Sequence, residues 1–249
     1  VKMPLTLASF AGGGQQNGPF ATVVSAAQNV ASGNSIVVGG RWLTTACTDN
    51  AGNTYIPLGH LIGNPVSNAG EGFDYWYCNN CIGNAALVVT LTFNSNHAQS
   101  LDTYTSIAVW NISGGPLILD QYLMSTGNSG SVMTYGPFAP RYPNSIICLT
   151  AIATSNLATF TSNAPLTQDG GTSLGGVQIA AASHLISSTI AGAQPLVMNA
   201  TVSGTWEIGG PIFGAGPVPL PTKKRVERFG AAQFTGREYA YYITLERLL

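Results

Sequence analysis

Apolar residues in this chain return at every second position. In residues 86–93, Leu87, Val89, Leu91 and Phe93 fall on one side and Val88, Thr90 and Thr92 on the other. That is the period of a strand covered mainly on one face. Comparable runs occupy 35–43, 73–78, 105–112, 117–124, 145–153, 177–183 and 205–213. Clusters of Gly, Asn, Ser and Pro separate them, and no helical stripe of similar length interrupts the series. About ten strands in one unit would curl or split as an open sheet. The expected fold is therefore all-β, a two-sheet antiparallel β-sandwich of jelly-roll-like type with an extended C-terminal arm. The reading divides the chain into an N-terminal extension (1–19), a sandwich body (20–216) and a Pro-rich linker with an assembly arm (217–249). Two Gly-containing turns, 49–53 and 112–116, read as hairpin connections. The stretches 63–72 and 164–176 read as exposed loops.

Charge sharpens the division. Residues 1–222 hold only Lys2, Arg41, Asp49, Glu71, Asp74, Asp102, Asp120, Arg141, Asp169 and Glu207, whereas the short remainder, 223–249, carries nine charged side chains. A body this poor in charge clothes itself in Ser, Thr, Asn, Gln and Gly, and copies of it can pack side by side without strong repulsion. Phosphate binding needs a concentrated basic face, so no nucleic acid is expected through the body. No apolar run approaches the roughly 18 residues of a membrane helix, and no membrane partner is expected. The N-terminus breaks into Ala11-Gly12-Gly13-Gly14 and lacks the apolar centre of a signal peptide.

The arm pairs Pro217-Val218-Pro219-Leu220-Pro221, a semi-rigid spacer, with a basic cluster, Lys223, Lys224 and Arg225, and a strand-like segment. In that segment Tyr239, Tyr241, Ile243 and Leu245 share one face. Left in water they would form an apolar stripe, so they read as contacts to a neighbouring subunit.

The motifs that carry chemistry elsewhere are incomplete here. Gly171-Thr172-Ser173-Leu174-Gly175 matches the G-x-S-x-G pattern, but the strand, strained turn and helix that expose such a serine are not indicated around it. His60, His97 and His184 stand singly, and Cys78-Asn79-Asn80-Cys81 is half a zinc site without its second knuckle. No catalytic residue, metal or cofactor is assigned. Cys78 and Cys81 are candidates for a local disulfide or for buried thiols. Trp76, Asn79 and Asn80 are candidate glycan contacts, because an aromatic face beside amides suits a sugar ring. Packing competes for these rings, since period two sets Phe73, Tyr75 and Tyr77 opposite Trp76.

Asp49-Asn50-Ala51-Gly52-Asn53-Thr54-Tyr55, followed by Tyr75-Trp76-Tyr77, the strand 86–93, Ile107 to Gly114 and Leu119-Asp120, resembles a β-sandwich module that recurs in tailed-bacteriophage virion proteins and bacterial surface proteins. The resemblance covers about residues 20–215 and its pattern is D-x-x-G-N-x-Y, then W-Y, then a Gly-closed hydrophobic strand. It implies packing and display, with no catalytic residues to carry over. The expected function is a non-enzymatic structural subunit of a virion, a capsid decoration or a tail or fibre component. Its partners would be copies of itself and other structural proteins of the assembly. The alternatives are a subunit of a bacterial or archaeal extracellular filament or surface layer, and a carbohydrate-binding module recognising a host-surface glycan.

Overall fold

The computed structural model describes residues 4–16, 21–62, 72–93, 104–127, 131–138, 140–142, 144–153, 160–162, 166–174, 177–186, 194–200 and 206–215. By its contacts the chain divides at Gly216/Pro217; all of 217–249, the stretch read as an assembly arm, including Lys223, Lys224, Arg225, Tyr239, Tyr241, Ile243 and Leu245, lies outside the described residues.

All regular elements among the described residues are strands: β1 (Thr6–Gln16), β2 (Thr22–Val24), β3 (Gln28–Val30), β4 (Ser35–Arg41), β5 (Thr44–Asp49), β6 (Ile56–Ile62), β7 (Gly72–Cys78), β8 (Asn84–Leu87), β9 (Val89–Phe93), β10 (Tyr104–Ser113), β11 (Leu117–Gly127), β12 (Val132–Phe138), β13 (Ser145–Ala153), β14 (Phe160–Ser162), β15 (Thr167–Leu174), β16 (Val177–Ile186), β17 (Gln194–Ala200) and β18 (Trp206–Ala215). The protein is all-β, built of several antiparallel sheets. Strands β1-β10-β4-β7-β6 form one five-stranded sheet and β11-β18-β13-β16-β15 another. The smaller sheets are β2-β9-β5, β3-β8 and β12-β17-β14.

Alternation along β4 explains how the first large sheet is placed. Ile36 and Val38 join a cluster with Val23, Leu87, Val89 and Leu91 of the small sheets. Val37 points the other way, into a cluster where Tyr75, Trp110 and Ile112 meet Ile146, Cys148, Ile152 and Phe213 of the second large sheet. The sheet is thus covered on both faces, and β4 is buried along its whole length. The second large sheet repeats this: Ile147, Leu149, Ile208 and Ile212 are also buried, and Tyr135 of β12 donates its hydroxyl to the Gly210 carbonyl at 2.9 Å. Double-sided burial accounts for the near-continuous apolar character of Ser35–Arg41 and Ser145–Ala153.

Four expectations need correction. Residues 6–16, assigned to an N-terminal extension, form β1 and pair with β10 from Thr6↔Ser113 to Gln16↔Tyr104; their Gly and Ala content hides a strand whose neighbours supply the bulk. The 49–53 turn is not a hairpin, because β5 and β6 lie in different sheets. The 112–116 turn likewise joins β10 to β11 across two sheets. The segment 164–176, read as a loop, contains β15, whose polar Thr-Gln-Asp-Gly-Gly sequence carries no apolar alternation.

Candidate functional site

The D-x-x-G-N-x-Y segment is a knot centred on one carboxylate. Asp49 Oδ1 accepts the amides of Ala51 at 2.9 Å and Asn53 at 3.1 Å, while Oδ2 accepts the Asn53 amide group and the Tyr55 hydroxyl, both at 2.8 Å. Gly52 takes φ +80° with open space around it, the left-handed step that lets the chain fold back over the carboxylate. Burial would push the Asp49 carboxyl up, but the hydrogen bonds from Asn53, Tyr55 and the two amides outweigh it and hold the group below its usual value. Burial, and then the bond to Asp49, push the Tyr55 phenol far up. Asn53 Oδ1 in turn accepts Ile82 N–H at 2.6 Å, and Asn50 Oδ1 accepts Val88 N–H at 3.1 Å. The motif is a clip holding the 79–88 segment against the 49–55 turn.

The proposed glycan contacts are drawn into the same scaffold. Trp76 is half-buried against the first cluster and gives its indole N–H to Thr44 Oγ1 at 2.8 Å. Asn79 spends its amide on Ser35 Oγ and Leu117 N–H, each at 2.8 Å, and on the Leu117 carbonyl at 3.1 Å. Asn80 is exposed and holds φ 52°. The structure therefore does not gather the three into one free face. Cys78 and Cys81 are buried thiols, as are Cys47 and Cys148. A hydrogen bond from Cys81 lowers the Cys78 pKa, and the same bond with burial raises that of Cys81. Burial drives Cys47 and Cys148 far up. Among the described residues no three His, Cys, Asp or Glu side chains converge as a metal site.

A polar cluster not expected from the sequence sits where β5, β6 and β7 meet. Asp74 Oδ2 accepts Thr44 N–H and, at 2.7 Å, the Thr44 hydroxyl; Asp74 Oδ1 pairs with His60 Nδ1 at 2.7 Å. Beside it Trp42 holds φ 76°, a left-handed conformation costly for a bulky residue, with the Arg41 guanidinium 4.4 Å over its ring. Thr44 belongs to a small sheet and Asp74 to a large one, so the cluster joins the two. Spacing could not reveal it, because residues 41, 44, 60 and 74 share no period.

Between the large sheets the contacts are aromatic and hydrogen-bonded. Tyr75 OH accepts Thr150 N–H at 2.8 Å and donates to the Gly209 carbonyl at 2.7 Å. Tyr122 OH donates to the Gly59 carbonyl at 2.6 Å, and Trp110 Nε1 donates to Asp169 Oδ2 at 2.9 Å. Tyr75 stacks on Trp110 with centroids 6.4 Å apart and meets Tyr122 edge-on at 5.8 Å. Ser173, the nominal nucleophile, lies in β15 with its backbone opposite Gln178 of β16; the strand-to-helix turn of the serine motif is not what surrounds it. His184 lies in β16, and His97 lies outside the described residues.

Comparison of the chain with protein-family models, curated proteins and solved structures found no match.

Proposed function

We propose that the chain is a non-enzymatic structural subunit of a bacteriophage virion, a capsid decoration or a tail or fibre component, working by self-assembly and display. Each half of the body reads as a jelly-roll-like sandwich, a large sheet closed over a small one. The observation that carries the reading is where the charges go. Every Asp, Glu and Arg among the described residues is buried or hydrogen-bonded within the body. Asp49 ties a turn and Asp74 a sheet junction. Asp120 takes Arg141 at 2.6 Å, Asp169 takes Trp110, and Arg41 and Glu207 are buried. Exposed among the described residues are chiefly Ala, Thr, Asn and Gly, with apolar Val24, Ile56, Ile82 and Val132 and the Asp120-bound Arg141 among them, a surface nearly free of unpaired charge that packs on neighbours at little desolvation cost.

The 217–249 arm is the element assigned to docking on a neighbouring subunit, with Lys223, Lys224 and Arg225 along acidic or polar surface and the Tyr239, Tyr241, Ile243 and Leu245 face adding a strand or covering a groove. The test compares residues 1–216 with the full chain by size-exclusion sizing and circular dichroism. The truncated body should stay folded and fail to assemble; normal assembly without the arm, or an unfolded body, would each remove the arm from this role. A glycan array that lights up with the full chain and goes dark on Trp76→Ala would move the reading to a carbohydrate-binding module.

A further inference from the structure

We infer that residues 4–113 and 117–215 are two versions of one module, docked about an internal two-fold through the surface with which the module binds a second copy of itself. The inference concerns how the body is built and does not rest on the virion reading. Strands β2 and β3 follow one another along the chain, as do β8 and β9, and they pair as β2 with β9 and β3 with β8. Taking each couple as one interrupted strand leaves eight strands in the first half, the same as β11–β18 in the second. In both halves the large sheet then runs first-eighth-third-sixth-fifth and the small sheet second-seventh-fourth. Among the described residues all strand ladders stay within one half.

Register repeats as well as order. Reading across the first large sheet, Gly59 stands opposite Tyr75, Tyr75 opposite Gly39, Gly39 opposite Ala108 and Ala108 opposite Gly12. Across the second, the row is Gly170, Ala181, Thr150, Gly209 and Met124. From these rows both fifth strands carry a register shift ending at the glycine, between Pro57 and Gly59 and between Gln168 and Gly170. Both first strands carry one at the same distance from the row, between Leu7 and Ser9 and between Leu119 and Gln121. Bulges are inherited features of a fold family; unrelated sheets have no reason to share order, direction and two bulges.

The contacts between halves obey a two-fold. Strand β1 meets β15 while β11 meets β6, β10 meets β16 while β18 meets β7, and β4 meets β13. Exchanging the halves turns each contact into its counterpart and β4–β13 into itself, which defines an isologous interface. An aromatic ring of each first strand accordingly reaches the glycine of the other half's fifth strand. Tyr122 bonds the Gly59 carbonyl, and Phe10 lies where a Cβ on Gly170 would come within 2.5 Å of its ring. The halves have since diverged at the centre: where the first has Tyr75 beside Gly39, the second has Ala181 beside Thr150. The Tyr75 hydroxyl is bonded to Thr150 of the opposite half, so the first half is fitted to the second rather than to itself. The two small sheets then give each chain two related outer faces with which to meet neighbours.

Spin labels on the full chain test the symmetry. Thr6 and Ile118 each lie six residues before the row, and Thr22 and Val132 each open the second strand, so Thr6 with Val132 and Ile118 with Thr22 are corresponding pairs across the halves; the native cysteines are buried. The two label distances should agree within the width of their distributions; a difference beyond that width overturns the two-fold. A protease site placed between Gly115 and Pro116 of the full chain tests the interface. After cutting, the fragments should stay together and, unfolded and remixed, regain the β spectrum as a one-to-one pair. Fragments that part as separate folded monomers, or that cannot regain the spectrum on mixing, overturn it.

Discussion

The first half of the body, residues 4–113, and the second, 117–215, share strand order and the register of their large sheets, yet hardly share residues. The row Gly12, Ala108, Gly39, Tyr75, Gly59 stands against Met124, Gly209, Thr150, Ala181, Gly170, with only the last position identical. What persists is the pattern of burial and the places where a ladder slips. Ile36 and Ile147, at matching register beside Asn111 and Ile212, are both fully buried. Backbone register is fixed by which side of each strand must be dry, and many residues satisfy that requirement. Side chains are then free to specialise, and the first half has become the aromatic partner.

The comparison breaks most visibly at Trp110, whose register counterpart is Pro211. Trp110 is fully buried, stacks on Tyr75 and holds Asp169. Trp110→Ala should cost about 3–5 kcal/mol by denaturant unfolding, and Pro211→Ala much less; equal losses would remove the asymmetry. Asp49→Ala comes next, at about 3 kcal/mol, since it strips the partners from two amides and the phenol of buried Tyr55. Its pH signature has a fixed sign. The folded carboxyl lies below its usual value, so its contribution is present above the unfolded pKa of about 4 and is lost as pH falls through the folded value. Wild type should therefore lose stability in acid more steeply than Asp49→Asn; parallel curves would show that the clip is not electrostatic.

Two tyrosines that cross between the halves sharpen the contrast. Tyr75→Phe leaves Thr150 N–H buried without its acceptor and should cost about 2 kcal/mol. Tyr122→Phe frees only the Gly59 carbonyl on an exposed strand and should cost less than about 1 kcal/mol. The reverse ranking would mean that the Tyr75 contact is incidental. A similarly small effect is expected at Gly52→Ala, about 1 kcal/mol, from backbone strain at φ +80° with no clash. A loss several times larger would place something over the turn.

Much of the strand content was legible because apolar alternation is a local property. The runs 73–78, 105–112, 117–124 and 177–183 all lie within β7, β10, β11 and β16. Strands that lack alternation escaped: β1 is rich in Ala and Gly, β15 polar, and β2, β3 and β14 only three residues long. The repeat escaped too, because loops of unequal length shift the spacing between matching strands and leave no constant period for sequence inspection to find.

By itself the sequence determined that the body is β, that it carries almost no charge outside its tail, and that a D-x-x-G-N-x-Y turn sits after an early strand. Each follows from residues a few positions apart. Tertiary structure alone decided which strand joins which sheet, that Asp74, His60 and Thr44 meet, and that the two halves mirror one another. Pairing, burial on both faces and contact across a two-fold are relations between segments tens of residues apart. Period two says that a strand has two sides; only packing says what each side touches.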